Sequence, residues 1–317
     1  MLEIRLTPVV LRFAGGASGK AGGLSEPPAS RQRVVKEGVM GYSAEISRRN
    51  PTCFVFLIDQ SGSMSDEFGG VVGTQKASFV ADALNRMLQN LAIRASKDEG
   101  IRDYFDISVI GYGAETGLAL GGALAGKDIV HISELASNPL RVDRRMRKEP
   151  DGAGGLVPTE VIFPVWVEPK ANGGTPMCYA LGLAEDVLRR WVSQHPYSFP
   201  PTVMNLTDGE STDGDPTEGV RRLAALATSD GETIVMNLHA SSKKLYPVTF
   251  PNTEDGLPDD FARLLFRLSS PLTPTMQDEA SRLGYVLGPG ARGFVFNSGL
   301  EDVVNFLDIG TRTPDLR

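Results

Sequence analysis

The sequence contains little cysteine and little histidine: Cys53 and Cys178 are its two cysteines, and His131, His195 and His239 are its three histidines. A zinc site needs three or four nitrogen or sulfur ligands close together, which these scattered residues do not offer. Two cysteines in apolar surroundings predict reduced, buried thiols rather than a disulfide framework. The shortage of histidine also leaves few candidates for acid–base catalysis.

Excess positive charge and long apolar runs are also lacking. Lys and Arg number 32 against 39 Asp and Glu, which gives a net charge of −7 and a pI near 5.2. A nucleic-acid-binding face would have to be basic, and anionic membranes would attract basic segments. No window reaches the ~18 uncharged apolar residues of a membrane helix, and Glu3, Arg5 and Arg12 interrupt the N-terminal apolar stretch, unlike a signal peptide. We therefore expect a cytoplasmic protein that binds neither nucleic acid nor membrane.

The apolar and polar patterns divide the chain into an arm and a core. Residues 1–50 are predicted to form an accessory N-terminal arm, with a flexible linker rich in Gly, Ser, Ala and Pro at 14–30. Residues 51–313 are predicted to form the main domain, with an elaborated insertion at 114–170. Within the insertion, "RVDRRMRKEP" is interpreted as a solvated basic face and "PTEVIFPVWVEPK" as one or two strands at a sheet edge. The roles of the arm and the insertion, and the oligomeric state, stay open.

Strand and helix patterns alternate through the main domain. "CFVFLID" is a continuous apolar run typical of a strand covered on both faces, and residues 74–95 place apolar side chains at helical spacing. Further strands are predicted at 104–113, at 200–211 and in "ETIVMNLHAS", with helices between them. This alternation predicts an α/β fold with a doubly wound, mostly parallel sheet.

Oxygen-bearing side chains follow several of the predicted strands. Asp59, Ser61 and Ser63 follow the first strand, Thr175 precedes a long helix as its expected N-cap, and Asp208 ends the "LTDG" strand. Ligands of doubly wound sheets bind outside the carboxyl ends of the strands, where the strand order reverses. Hydroxyl and carboxylate oxygens suit a hard cation such as Mg²⁺. A site with few direct carboxylates leaves the cation free to accept a carboxylate from a partner.

The residues "DQSGS" at 59–63, Thr175 in "GGTPM" and Asp208 in "LTDGES" resemble the metal-ion-dependent adhesion site (MIDAS) of von Willebrand factor A (vWA) domains. The resemblance covers roughly residues 50–310 and implies a Rossmann-like vWA fold. It implies Mg²⁺ or Mn²⁺ held by Ser61, Ser63 and Thr175, with Asp59 and Asp208 acting mainly through water. It also implies a C-terminal helix, here 299–309, that shifts when a ligand binds in some members.

The lead-in "AEISRRNPTCFVFLIDQSGSM" looks more specifically like bacterial intracellular vWA proteins. Some of these sit beside a protein phosphatase and a protein kinase in settings similar to tellurium resistance, stress or defence. The narrower resemblance therefore implies a signalling or defence assembly and offers a phosphatase and a kinase as candidate partners.

Asp66 and Glu67 leave two alternatives open. Integrin-type vWA domains use acids at similar offsets for an adjacent Ca²⁺ site, so the pair could hold a second metal. Solvated loop acids near a helix start are the other interpretation, because the helix dipole favours them there.

Catalytic motifs are absent from the sequence around Asp59. An aspartyl-phosphate phosphatase would need an acid at Ser61, and neither a G-x-S-x-G elbow nor a phosphate-binding loop of the G-x-x-x-x-G-K-[ST] type occurs. We therefore expect no enzyme but a metal-dependent protein-interaction module that binds an Asp or Glu of a partner. The alternative is a structural subunit of a complex in which the metal only stabilises loops, and a metal-dependent hydrolase is the weakest candidate.

Overall fold

The computed structural model describes residues 42–68, 73–150, 155–240, 246–313 and 316. The predicted linker at 14–30, and the predicted arm up to residue 41, lie outside these residues. Residues 42–50 belong to the described part: the Asp230 carboxylate accepts the backbone N–H groups of Ser43 and Ala44, and buried Ile46 forms a β-bridge with Leu316.

Strands and helices alternate along the main domain, as the apolar patterns predict. The strands are β1 (Thr52–Asp59), β2 (Ser96–Lys97), β3 (Gly100–Ile101), β4 (Phe105–Tyr112), β5 (Thr116–Leu118), β6 (Val130–His131), β7 (Arg141–Pro150), β8 (Leu156–Val165), β9 (Thr202–Thr207), β10 (Ala227–Thr228), β11 (Gly231–Glu232), β12 (Ile234–His239), β13 (Val248–Thr249) and β14 (Phe294–Phe296). The helices are α1 (Lys76–Ala95), α2 (Ile132–Ser137), α3 (Met177–Gln194), α4 (Thr217–Ala224), α5 (Asp260–Leu268), α6 (Pro274–Arg282) and α7 (Leu300–Gly310). No helix among the described residues is both long enough and apolar enough to span a membrane.

The main sheet has the order β13-β14-β12-β9-β1-β4-β5, and β6 also pairs with β4. The pairs from β14 through β12, β9 and β1 to β4 are parallel, whereas β13, β5 and β6 pair in the antiparallel sense. Every residue of β1, β4, β9 and β12 is buried, and the apolar run of β1 from residue 53 to residue 58 is typical of a strand covered on both faces. The prediction of an α/β fold with a doubly wound, mostly parallel sheet is confirmed.

The chain reverses its direction of travel across the sheet between β1 and β9. From β1 it moves outward to β4 and β5, then returns to β9 on the other side of β1 and continues to β12 and β14. The carboxyl ends of β1 and β9 therefore flank the switch point, where crevices form in doubly wound sheets.

Helices cover both faces of the sheet. Alternate residues of β1 point into two separate cores: Phe54 and Phe56 belong to the cluster that includes side chains of α1 and α7, and Val55 and Leu57 to the cluster that includes side chains of α3, α4 and α5. Cys53 is buried and Cys178 is partly buried, and both are free thiols, as predicted.

The insertion at 114–170 differs from its sequence interpretation in one respect. The basic segment forms β7, which pairs along its whole length with β8 in a separate two-stranded sheet, so β8 is an edge strand of this small sheet and not part of the main sheet. The interpretation of a merely solvated basic face was incomplete, because the charges of β7 have specific partners. The Arg145 guanidinium lies 3.7 Å from the centre of the Phe163 ring on β8 and donates to Asp82 of α1 at 2.8 Å.

Candidate functional site at the switch point

Asp59 is the last residue of β1 and is 1% exposed. Its Oδ1 accepts the backbone N–H of Ser61 at 2.9 Å, and its Oδ2 accepts the hydroxyl of Thr207, the last residue of β9, at 2.7 Å. Burial raises the pKa of Asp59, hydrogen bonds from Ser61 and Thr207 lower it in part, and the nearby charge of Asp208 raises it again. The hydrogen bonds thus keep a buried carboxylate oriented at the end of the central strand.

Ser61 and Ser63 stand at the short 3₁₀ helix Gly62–Ser65 that follows β1. The Ser63 hydroxyl donates to Oδ1 of Asp208 at 2.7 Å, and the Ser61 and Ser63 hydroxyl oxygens are 3.1 Å apart. A serine has one hydroxyl proton, so Ser63, which donates to Asp208, can only accept in its contact with Ser61. The two loops after β1 and β9 are therefore joined by a chain of hydroxyls that ends on a carboxylate.

Thr175 reaches the same place on a third loop. The backbone N–H of Gly62 donates to the Gly173 carbonyl at 2.9 Å, which ties this loop to the one after β1. A Cβ atom placed on Gly209 would lie 3.8 Å from Oγ1 of Thr175 and 4.0 Å from Oγ of Ser63, so both hydroxyls border the space beside this glycine. All five residues predicted for the site are thus brought together from three loops.

Thr175 does not cap α3, in contrast to the sequence prediction. The helix begins at Met177, and the backbone N–H groups of Cys178 and Tyr179 donate instead to the carboxylate of Asp213, from the loop after β9. The N–H of Thr175 is itself directed to Oγ1 of Thr212 at 3.0 Å. This cap from a distant loop leaves the Thr175 side chain available to the site.

The acidic loop after β9 is engaged in capping as well as in the site. Asp213 caps α3, and Oδ1 of Asp215 accepts the N–H of Thr217 at the start of α4. Two carboxylates of this loop therefore stabilise helix starts, where negative charge is favoured.

Lys76 is a site residue that the sequence interpretation missed. It is the first residue of α1, its side chain is fully buried, and its Nζ donates to Oδ2 of Asp208 at 2.7 Å. A lysine at the start of an amphipathic helix is normally solvated, so the sequence pattern carries no sign of this burial. Asp208 consequently has Ser63 on one oxygen and Lys76 on the other.

The acids considered for a second metal have different neighbours. Oδ2 of Asp66 lies 3.8 Å from Nζ of Lys76, so an ammonium group already stands beside this carboxylate. Oε1 of Glu67 accepts the backbone N–H of Gly73 at 3.1 Å. The second cation at Asp66 and Glu67 stays a prediction from sequence.

His239 lies behind the site at the end of β12. Its ring is packed edge-on between Phe261 and Phe296, and its Nδ1 is buried with no hydrogen-bond partner among the described residues. Burial lowers the pKa of His239 to about 4, against the attraction of the carboxylates of Asp259 and Asp208. This histidine is therefore neutral near pH 7 and adds no charge to the site.

The donors at the switch point suit a hard divalent cation. No group of three or more His, Cys, Asp or Glu side chains among the described residues is arranged to hold a metal. The site instead combines two carboxylates with three hydroxyls, and such oxygens are the ligands that Mg²⁺ and Mn²⁺ take. The ammonium of Lys76 offsets part of the negative charge of this set, because it lies 2.7 Å from Oδ2 of Asp208.

Comparison with known proteins adds little to this assignment. No protein-family model matches the chain, and no curated protein matches it. A structure of three N-terminal domains of the type V pili tip protein Mfa5 from Porphyromonas gingivalis is 15% identical over 51% of this chain and 20% of that one, with a TM-score of 0.29. The vWF domain of the same protein is 16% identical over 51% of this chain and 39% of that one, with a TM-score of 0.28.

The PilB minor pilin from Streptococcus sanguinis is 10% identical over 83% of this chain and 61% of that one, with a TM-score of 0.40. This chain thus spans less than two thirds of the length of each of these structures. All three TM-scores are below 0.5, so the functional assignment rests on the topology and the site of the chain itself.

Proposed function

We propose that the chain is a vWA-type interaction module that binds a protein partner through a divalent cation, Mg²⁺ or Mn²⁺. The observation that carries the proposal is the convergence of Asp59, Ser61, Ser63, Thr175 and Asp208 at the switch point of the sheet. In this proposal Ser61, Ser63 and Thr175 hold the cation, and Asp59 and Asp208 act mainly through water. The bound cation would supply an open coordination position for a carboxylate of the partner.

Hydrogen bonds within the chain orient the oxygen ligands for this role. Ser63 directs its proton to Asp208, and a hydroxyl that donates to a carboxylate presents its oxygen lone pairs elsewhere. Thr207 holds Asp59 in place by the same kind of bond, so the hydroxyl and carboxylate oxygens are oriented before any ligand arrives. Such preorganisation lowers the cost of binding.

The alternative in which the metal only stabilises loops is less well supported. Direct backbone hydrogen bonds already join these loops, from Gly62 to Gly173 and from Thr212 to Thr175. A metal is therefore not needed to connect them, which favours a role in recognition. The absence of catalytic motifs supports a binding module rather than an enzyme, and the narrower likeness to bacterial intracellular vWA proteins stays a prediction from sequence.

The proposal is tested by capture of the partner from an extract of the native host, with the purified chain as bait. We expect proteins that are retained in MgCl₂, released by EDTA and not retained by Asp59→Ala. Circular dichroism must show that the variant is folded. Equal retention by the folded variant, or retention that EDTA does not affect, would contradict a metal-dependent interaction.

A further inference from the structure

The ammonium group of Lys76 lies inside the candidate site. Its side chain and that of Asp208 are both 0% exposed, and Nζ of Lys76 also lies 3.8 Å from Asp66, whose side chain is 55% exposed. The ion pair thus extends from the buried end of β9 to the rim of the crevice. Both loops of the site meet at this one ammonium group.

The stability of α1 does not account for a lysine at this position. Lysine is rarely fully buried, because removing its charge from water is costly unless a partner compensates. The positive end of the helix dipole also lies at the first turn, where Lys76 stands, so the helix itself disfavours a cation there. The compensation comes from Asp208, and a function that uses this pair is a more direct reason for its burial.

A count of charges indicates what that function is. With both carboxylates ionised, Asp59 and Asp208 alone would carry two negative charges, which a divalent cation would cancel completely. With Lys76 included, these three buried groups carry one negative charge in the empty site and one positive charge in the loaded site, whereas the carboxylate of Asp66, which is 55% exposed, is largely screened by water. An incoming carboxylate then neutralises the loaded site instead of leaving it negative.

We propose that the charge of Lys76 tunes two affinities of the site. It weakens the binding of the divalent cation and strengthens the binding of the acidic ligand to the loaded site. This inference rests on the proposed function and names the residue that would tune it. Loss of structure alone would weaken both binding steps, whereas loss of the charge of Lys76 changes them in opposite directions.

The test replaces Lys76 by Met, which keeps an unbranched side chain of nearly the same length and removes the ammonium group. A unit positive charge within several ångströms of a divalent cation weakens its binding about tenfold, even at the dielectric constant of water. Mn²⁺ binding, followed by the electron paramagnetic resonance of free Mn²⁺, should therefore tighten about tenfold in Lys76→Met. Lys97→Met, which removes an exposed lysine outside the site, should bind Mn²⁺ like the parent chain.

The second step is measured with acetate as the carboxylate probe. Water-proton relaxation reports the waters on protein-bound Mn²⁺, and sodium acetate should displace them, with sodium chloride as the control for ionic strength. In Mn²⁺-saturated Lys76→Met, half-displacement should need about threefold more acetate than in the parent chain. Unchanged or weaker Mn²⁺ binding, or unchanged acetate binding, in the folded variant would overturn the inference.

A double substitution keeps the test decisive if Lys76→Met alone does not fold. Asp208→Asn should weaken Mn²⁺ binding, and adding Lys76→Met to it should restore part of the affinity, because the residual charge of Asp59 is then unopposed. No recovery would contradict the role of Lys76.

The outcomes also separate this inference from the proposed function. If neither the parent chain nor Lys76→Met binds Mn²⁺, the proposed function fails. If both bind it equally, only the role of Lys76 fails. If only Lys76→Met binds it, the role of Lys76 is supported and the metal dependence of the parent chain is contradicted.

Discussion

The hydroxyl of Ser63 donates to Oδ1 of Asp208 at 2.7 Å, although 145 residues separate the two in sequence. This contact joins the loop after β1 to the loop after β9, on either side of the switch point. It exists because β1 and β9 are adjacent and parallel, with Ile58 of β1 aligned with Leu206 of β9.

Asp59→Asn should weaken Mn²⁺ binding while the fold is retained. The amide keeps the shape of the carboxylate but lacks its charge, and loss of an outer-shell partner of a metal weakens binding by roughly tenfold to a hundredfold. Isothermal titration calorimetry with MnCl₂ measures the affinity, and thermal unfolding without metal checks the fold. A folded variant with the parent affinity would show that Asp59 takes no part in the site.

Thr207→Val should weaken Mn²⁺ binding about tenfold and lower stability by about 1–3 kcal/mol. Valine has the shape of threonine but cannot donate to Asp59, which would leave a buried carboxylate oxygen without the bond observed at 2.7 Å. Urea unfolding measures the stability, and titration with MnCl₂ measures the affinity.

Thr202→Val on the same strand is the matched control for Thr207→Val. Oγ1 of Thr202 is buried and has no hydrogen-bond partner among the described residues, so its replacement should be neutral or stabilising. Equal losses of stability in the two variants would contradict a specific role for the Thr207 hydroxyl.

Gly173→Ala should disturb the loop that carries Thr175. Gly173 has φ +84°, and a Cβ atom there would lie 2.4 Å from the backbone nitrogen of Ala114. We expect a loss of stability of about 1–3 kcal/mol and weaker Mn²⁺ binding, because the loop must move away from β4. Urea unfolding and metal titration check both effects.

Gly182→Ala in α3 is the control for Gly173→Ala. A Cβ atom on Gly182 meets nothing within 4 Å, and alanine is the better helix former, so stability should rise by about 0.5–1 kcal/mol. A stable Gly173→Ala variant with normal metal affinity would show that the loop does not depend on this glycine.

His131 should contribute stability in a pH-dependent manner. Its Nδ1 lies 2.6 Å from Oδ1 of Asp106, whose other oxygen accepts the indole N–H of Trp191 at 2.8 Å. Burial lowers the pKa of His131, but the hydrogen bond and the charge of Asp106 outweigh this effect, so the folded pKa lies above the ordinary value. The contribution is therefore fully present below the unfolded pKa and is lost as the pH rises through the folded pKa.

Thermal unfolding of His131→Ala and of the parent chain tests the direction of this pH dependence. The difference in Tm between the parent chain and the variant should be larger at about pH 5.5 than at about pH 9. These two pH values lie on either side of the ordinary histidine pKa. A difference that grows as the pH rises would contradict the assigned interaction.

Much of the fold follows from local patterns. β1 is buried on both faces, and its unbroken apolar run from residue 53 to residue 58 is typical of such a strand. The β7–β8 hairpin escaped the sequence interpretation because its arginines read as solvated, whereas Arg145 lies on the ring of Phe163. That contact depends on pairing between strands, which the composition of one segment does not reveal.

In the candidate site, too, some residues are predictable from local sequence patterns and others depend on tertiary contacts. Asp59, Ser61, Ser63, Thr175 and Asp208 were predicted as a set because each occupies an expected position at the end or start of an element. Lys76 was not, because its burial depends on the position of α1 against the loop after β9. The cap of α3 by Asp213 was missed for the same reason, since a distant loop supplies it.

The most direct measurement is a crystal structure of the chain grown with MnCl₂, with anomalous diffraction recorded at the manganese absorption edge. We predict a strong anomalous peak in contact with the hydroxyl oxygens of Ser61, Ser63 and Thr175. An anomalous map without a peak there at saturating Mn²⁺, with the loops otherwise well ordered, would contradict the metal site.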